Sequence, residues 1–159
     1  MDDADTTYSA DSSAEAVEAI KNCKARYYRC MDTKQWDGWR QVFAEDGSID
    51  CTEEAPQNGI IVGREECIAF VSGQLEGVTT CHHGHMPEIE LTSDTTATGI
   101  WAMEDHLWVP EGHPLGFRHL HGYGHYHETY EKVGTENSGS AWYIKTLKLT
   151  RLRIDVEMT

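Results

Sequence analysis

With 159 residues, 39% of them hydrophobic and 25% charged, the chain has the size and composition of one soluble domain around one core, not of a disordered or membrane-spanning segment. Thirteen Lys+Arg against 27 Asp+Glu leave a formal net charge of −14. That balance excludes nucleic acid and anionic membrane surfaces as partners, because both demand clustered cations.

The first twelve residues are polar and acidic and read as a frayed tail, with a single domain over 13–159. No basic region and apolar run mark a signal peptide at the start, so the expected compartment is cytoplasmic. The five cysteines (23, 30, 51, 67 and 81) form no C-x-x-C pair and fit small core residues in a reducing compartment rather than a disulfide framework. Ser12 and Glu15 have capping-box spacing, so a helix opens there and runs to about Asp32. One face of it carries Val17, Ile20, Lys24, Tyr27 and Met31, with Cys23 and Cys30 beside them.

A second helix is expected from Gln35 to Ala44 on Trp36, Trp39, Val42 and Phe43, closed by Glu45-Asp46-Gly47. Short strands at Ser48–Thr52 and Ile60–Val62 flank a turn at Pro56–Gly59, and Arg64 to Leu75 form a third helix. The period then changes to two. Long strands follow at Val78–Leu91, Ala97–Trp108, His119–Val133 and Ala141–Val156. A hairpin turn joins the first pair, and a Pro- and Gly-rich loop over 109–117 precedes the third. Helices first and a meander of long antiparallel strands afterwards make an α+β pattern. Strands of this length curl, and a curved sheet with helices across its open side forms a cone.

Alternation assigns faces. Trp101, Met103, Asp105 and Leu107 share one side of their strand, which puts a carboxylate among bulky apolar groups. Tyr143, Leu147, Leu149, Arg151 and Arg153 share a side of the last strand in an unbroken alternation, so Arg151 is a candidate partner for Asp105. Such a pair is either a core ion pair or part of a site. His119, His121, His125 and His127 fall on one face with Tyr123 and read as a solvent-side row.

The densest chemistry lies in Thr79–Leu91, TTCHHGHMPEIEL, with His82, His83 and His85 in four positions. Imidazole is the side chain that exchanges protons near neutrality. His82 and His83 point to opposite faces, so at most one enters the cone. A rival reading takes His125-x-His127-x-x-x-Glu131, a spacing that metal-binding cupin barrels use to converge on one ion.

Several blocks together carry a resemblance. They are Ala25-Arg-Tyr-Tyr-Arg-Cys-Met-Asp32 followed by Trp36-Asp37, then His82-His-Gly-His-Met-Pro-Glu-Ile89, Thr95-Thr-Ala-Thr-Gly-Ile-Trp101 and Glu104-Asp105. In this order the chain resembles SnoaL-like members of the nuclear-transport-factor-2-like superfamily. That group of cone-shaped α+β barrels includes scytalone dehydratase and ketosteroid isomerase, and bacterial bile acid 7α-dehydratase is the nearest resemblance. The likeness spans Ile20 to Arg153 and is interrupted at Val109–Tyr123.

The resemblance implies five catalytic positions: Tyr27 and Asp32 at the end of the first helix, His82, Asp105 and Arg151. It implies a cofactor-independent dehydratase, with His82 as base on an Asp32 dyad, no metal, and a small hydrophobic, steroid-like or polycyclic substrate. It further implies a homotrimer built on the outer sheet face. An isomerase or cyclase of the same fold, a non-catalytic small-molecule-binding module and the metal-dependent barrel enzyme stand as alternatives.

Overall fold

The computed structural model describes residues 10–135 and 139–158. Three helices, α1 (Ala10–Asp32), α2 (Trp36–Arg40) and α3 (Arg64–Gln74), pack on one six-stranded sheet. Its strands are β1 (Phe43–Asp50), β2 (Ile60–Val62), β3 (Thr79–Leu91), β4 (Thr96–Trp108), β5 (Phe117–Thr135) and β6 (Gly139–Met158). Their spatial order is β2-β1-β6-β5-β4-β3. Every pairing is antiparallel except β1 with β6. The expected α+β class and the cone of helices on a curved sheet therefore hold.

Helix α1 lays its predicted stripe on the sheet: Ile20, Cys23, Tyr27, Cys30 and Met31 are all buried. It begins at Ala10 rather than Ser12. A cap preference of about 1 kcal/mol does not fix a helix boundary to the residue. The expected tail is thus helical in its last residues, and its remainder, 1–9, lies outside the described residues.

The second helix is shorter than expected. It stops at Arg40, a turn follows at Gln41 and Val42, and Phe43 and Ala44 open a strand. Ile144 and Val42 explain this: the Ile144 amide donates to the Val42 carbonyl at 2.8 Å, and Phe43 pairs with Ile144 in the parallel ladder. The apolar spacing at Trp36, Trp39, Val42 and Phe43 satisfies a helix locally, but β6 captures Val42 and Phe43 through Ile144, far along the chain. Trp39 and Phe43 still pack together, their rings tilted by 53° with centroids 4.8 Å apart.

The unbroken alternation expected of the last strand fails twice. Thr129 pairs with Thr146 and Tyr130 with Ile144, leaving Lys145 as a bulge. Trp142 and Ile144 therefore face inward together with Leu147 and Leu149, and Tyr143 does not. Tyr123 pairs with Arg153 and Gly124 with Arg151, leaving Leu152 as a second bulge. Arg151 thus stays inside, while Arg153 crosses to the outer face and binds Asp155 at 2.9 Å. In β4 the expected face is intact: Trp101, Met103 and Asp105 are buried.

All five cysteines are free thiols. Burial is the main force on three of them, pushing the Cys23 and Cys67 thiols up to about 11 and Cys51 up to about 12. No helix of the described residues is long and apolar enough to cross a membrane.

Candidate active site

His82 lies on the inner face of β3 and is 8% exposed, while His83, its neighbour, faces out. Its Nδ1 sits 2.6 Å from Asp32 Oδ1 at the last residue of α1. Asp32 also takes the His82 amide on Oδ2 at 2.8 Å and the Thr80 hydroxyl on Oδ1 at 2.8 Å. Burial works to raise the Asp32 carboxyl, but its bonds from His82 and Thr80 outweigh it and hold the group below the usual carboxylate range. A carboxylate on Nδ1 fixes the imidazole tautomer that carries hydrogen there and leaves the Nε2 lone pair free. Nε2 turns toward Asp105, the residue paired with His82 on the neighbouring strand β4, 3.9 Å from Oδ2.

Asp105 is 3% exposed and is gripped by a two-pronged guanidinium: Arg151 Nη1 and Nη2 each donate to one of its oxygens at 2.8 Å. Arg151 Nε binds Glu54, and the Arg151 amide donates to Glu53 Oε1 at 3.0 Å, so the acidic 51–55 turn closes over the arginine. Burial opposes the Arg151 charge, yet Asp105 and Glu54 raise its affinity for the proton. The structure thus brings together four of the five expected positions.

Tyr27, the fifth, is buried one layer deeper. Its ring meets that of Tyr126 edge-on, with centroids 6.0 Å apart, and burial pushes the phenol well above its ordinary range.

Beneath them is a feature that the sequence reading did not interpret. Lys24 has no exposed surface; it donates to Glu128, which also accepts the Tyr130 hydroxyl. Trp101 Nε1 completes the chain by donating to Tyr130 at 2.9 Å. The ammonium lies 3.8 Å from the ring centroids of both Tyr27 and Tyr126 and 4.8 Å from that of Tyr28. The signal was present: Lys24 interrupts the apolar stripe of α1, and Glu128 lies between Tyr126 and Tyr130 on the even face of β5. Two intruders of opposite sign on facing apolar surfaces have each other as natural partners. Tyr126, Thr80, Lys34 and Glu54 carried no comparable signal.

The cupin-like spacing does not converge. His125, His127 and Glu131 stand on the outer face of β5, where His127 Nε2 meets Thr150 Oγ1 at 3.1 Å and Glu131 meets Lys145 at 3.3 Å. Among the described residues, no group of three His, Cys, Asp or Glu side chains has the geometry to hold a metal ion.

The model of the SnoaL-like domain family matches residues 12–148, most of the chain. The chain belongs to the SnoaL-like domain family. The "Probable cyclase FGR4" of Gibberella zeae is 28% identical over 149 residues, covering 88% of this SnoaL-like chain and 93% of its own. Among solved structures, the "Putative Scytalone Dehydratase" of Novosphingobium aromaticivorans superposes with a TM-score of 0.77 at 21% identity, covering 94% of this chain and 92% of that one. A type 2 hexachlorocyclohexane dehydrochlorinase (LinA) gives 0.76 at 17% identity, covering 93% of each. At such identities these structures share the fold, which is the nuclear-transport-factor-2-like cone.

One glycine tests whether the cluster is as tightly built as it looks. Gly122 pairs with Asp105, and a Cβ there would lie 2.4 Å from both Arg151 Nη1 and Asp105 Oδ1. Gly122→Ala is expected to push the ion pair apart, lowering stability by about 1–3 kcal/mol, the usual cost of overpacking. Urea denaturation checks this. An unchanged midpoint would mean that the pair has room to move.

Proposed function

We propose that this chain is a cofactor-independent dehydratase that removes water next to an activating carbonyl of a hydrophobic, steroid-like or polycyclic substrate. The observation that carries the reading is the orientation of His82: Nδ1 on the Asp32 carboxylate, Nε2 toward the Asp105–Arg151 pair. The relatives named as dehydratase, dehydrochlorinase and cyclase support a small-molecule-converting enzyme in the same cone.

In this mechanism His82 Nε2 takes the proton α to the carbonyl, and Asp32 stabilises the imidazolium that results. The electrons of the broken C–H bond form the new double bond as the β C–O bond breaks. Tyr27 donates a hydrogen bond or proton to the leaving hydroxyl or the carbonyl oxygen, and the proton taken by His82 is returned to the departing hydroxyl or to Tyr27, so that water leaves and both groups are restored. Asp105 and Arg151 hold the polar end and stabilise charge as it develops. The chemistry needs neither metal nor organic cofactor.

Support for an apolar substrate comes from the inner face beyond Asp105. There Leu107 pairs with Leu120 and Leu120 with Val156, while Gly122 pairs with Ile154. Ile154 and Val156 are 38% and 46% exposed, an apolar wall beside the polar cluster.

The test is mass-spectrometric. Wild type is incubated with β-hydroxy carbonyl compounds, hydroxylated 3-keto steroids among them, and products are read for loss of water. Dehydration of at least one compound is the expected result. A mass-neutral product would replace this reading with an isomerase or cyclase of the same site, which the Gibberella relative's name favours as the second reading. No product at all would leave a binding module.

The working unit in this proposal is a cytoplasmic homotrimer. Five free thiols support the compartment. The outer sheet face supports assembly, carrying a stack of His106, Trp108, His119 and His121 rings with Tyr123 beside it. Light scattering is expected to give three times the chain mass. A monomeric mass would remove the trimer from the proposal.

A further inference from the structure

We propose that Lys34 and Thr80 are positioning residues that hold the Asp32 carboxylate on the His82 imidazole. Lys34 Nζ donates to Thr80 Oγ1 at 2.9 Å, and Thr80 Oγ1 donates to Asp32 Oδ1 at 2.8 Å. The direction is forced. An ammonium has no lone pair, so the Thr80 oxygen accepts from it, and its single hydrogen is then aimed at Asp32. Asp32 Oδ1 receives Thr80 from one side and His82 Nδ1 from the other, while the His82 amide fixes Oδ2. The carboxylate cannot rotate without breaking one of these bonds.

The backbone at Lys34 supports the same inference. The Gln35 amide donates to the Cys30 carbonyl at 2.8 Å and the Lys34 amide to the Met31 carbonyl at 3.2 Å, the double closure that ends many helices. That closure puts the residue at position 34 in the left-handed region, and its φ is +57°. Glycine is the residue favoured there. The chain instead has a lysine, whose ammonium reaches Thr80 and borders a groove of about 610 Å³ with Trp36 and Leu75. Strain of this kind persists where the side chain has a task.

This inference rests on the His82–Asp32 dyad proposed above, and its test separates the two. Thr80→Val removes the hydroxyl at constant shape, Thr80→Ser restores it, and Lys34→Gly removes the ammonium while relieving the backbone. His82→Ala is the reference. On the compound that wild type dehydrates, Thr80→Val and Lys34→Gly are each expected to lower kcat about tenfold with KM nearly unchanged, the order of effect of partners that orient a catalytic group. Thr80→Ser restores the rate. The charged and titratable groups around Asp32 are His82, Lys34 and Cys81. Losing the Lys34 charge or the Thr80 bond lets Asp32 hold its proton to higher pH, so the acid limb of the rate profile moves up.

Lys34→Gly is expected to melt at the wild-type temperature or above it, since it relieves the backbone. A lower melting temperature would mark Lys34 as structural and overturn its part. Without any substrate, the ¹⁵N shifts of the His82 ring are expected to show a single tautomer in wild type and a mixture in Thr80→Val. An unmixed tautomer in that variant overturns the relay. Full kcat in Thr80→Val and Lys34→Gly beside an inactive His82→Ala overturns the relay and leaves the dyad. Full activity in His82→Ala, or a wild type that dehydrates nothing, overturns the dyad and the relay with it.

Discussion

Lys24→Met is expected to lower the unfolding free energy by about 3–5 kcal/mol, the cost of breaking a buried ion pair by removing one partner. The reason lies with Glu128, not Lys24. Both side chains have no exposed surface, and with the ammonium gone the carboxylate is left with the Tyr130 hydroxyl as its remaining donor among the described residues. The cation–π contacts to Tyr27 and Tyr126 are lost at the same time, worth about 1–2 kcal/mol each when desolvated. The double change Lys24→Met with Glu128→Leu is expected to recover most of the loss, because neither charge is then buried alone. Urea denaturation of both variants measures the difference. If the single change costs under about 1 kcal/mol, the pair contributes little to stability and the expectation fails.

His82→Ala is expected to reduce kcat by about 10²–10⁴-fold, the span that a positioned general base contributes. The loss falls on kcat because the groups proposed to hold the substrate, Asp105 and Arg151, keep their mutual bonds without the imidazole. Asp32→Asn is expected to fall within the same span, since the amide no longer favours hydrogen on Nδ1 and turns the ring's acceptor away from the substrate. The double variant is expected to be no slower than His82→Ala alone, because Asp32 acts through the imidazole it orients. Initial rates on one dehydrated compound, read by mass spectrometry, give all three numbers. Additive losses in the double variant would mean that Asp32 does separate work.

The fold was legible wherever local pattern and final environment agree. The stripe of α1 and the face of β4 that carries Trp101, Met103 and Asp105 keep their period from end to end, and both were read correctly. From the alternation of two strands, Arg151 emerged as a partner for Asp105, 46 residues away, and the structure joins them. Strand pairing overrode local pattern in the second helix and the last strand. Val42 and Phe43 fit a helix until β6 takes them, Val42 through the Ile144 amide and Phe43 through the ladder, and β6 itself changes phase at Lys145 and Leu152, which no local count detects.

For the candidate site, residue types were legible, but their supports were not. The five expected positions came from motif resemblance. Thr80, a strand threonine, and Lys34, a lysine after a helix, look ordinary until the end of α1 is laid beside β3. Lys24 and Glu128 were visible as charges in apolar stripes, yet 104 residues separate them, and only the packed sheet makes them one feature.

The bulge at Leu152 has a consequence for how such a protein can change. Upstream of it, the phase of β6 is tied to Arg151 and the polar cluster; downstream, it is tied to the apolar wall of Ile154 and Val156. One extra residue uncouples the two. The last turn of sheet can therefore be exchanged, lengthened or re-sequenced as a cassette, altering what the mouth of the cone admits while the guanidinium stays on Asp105.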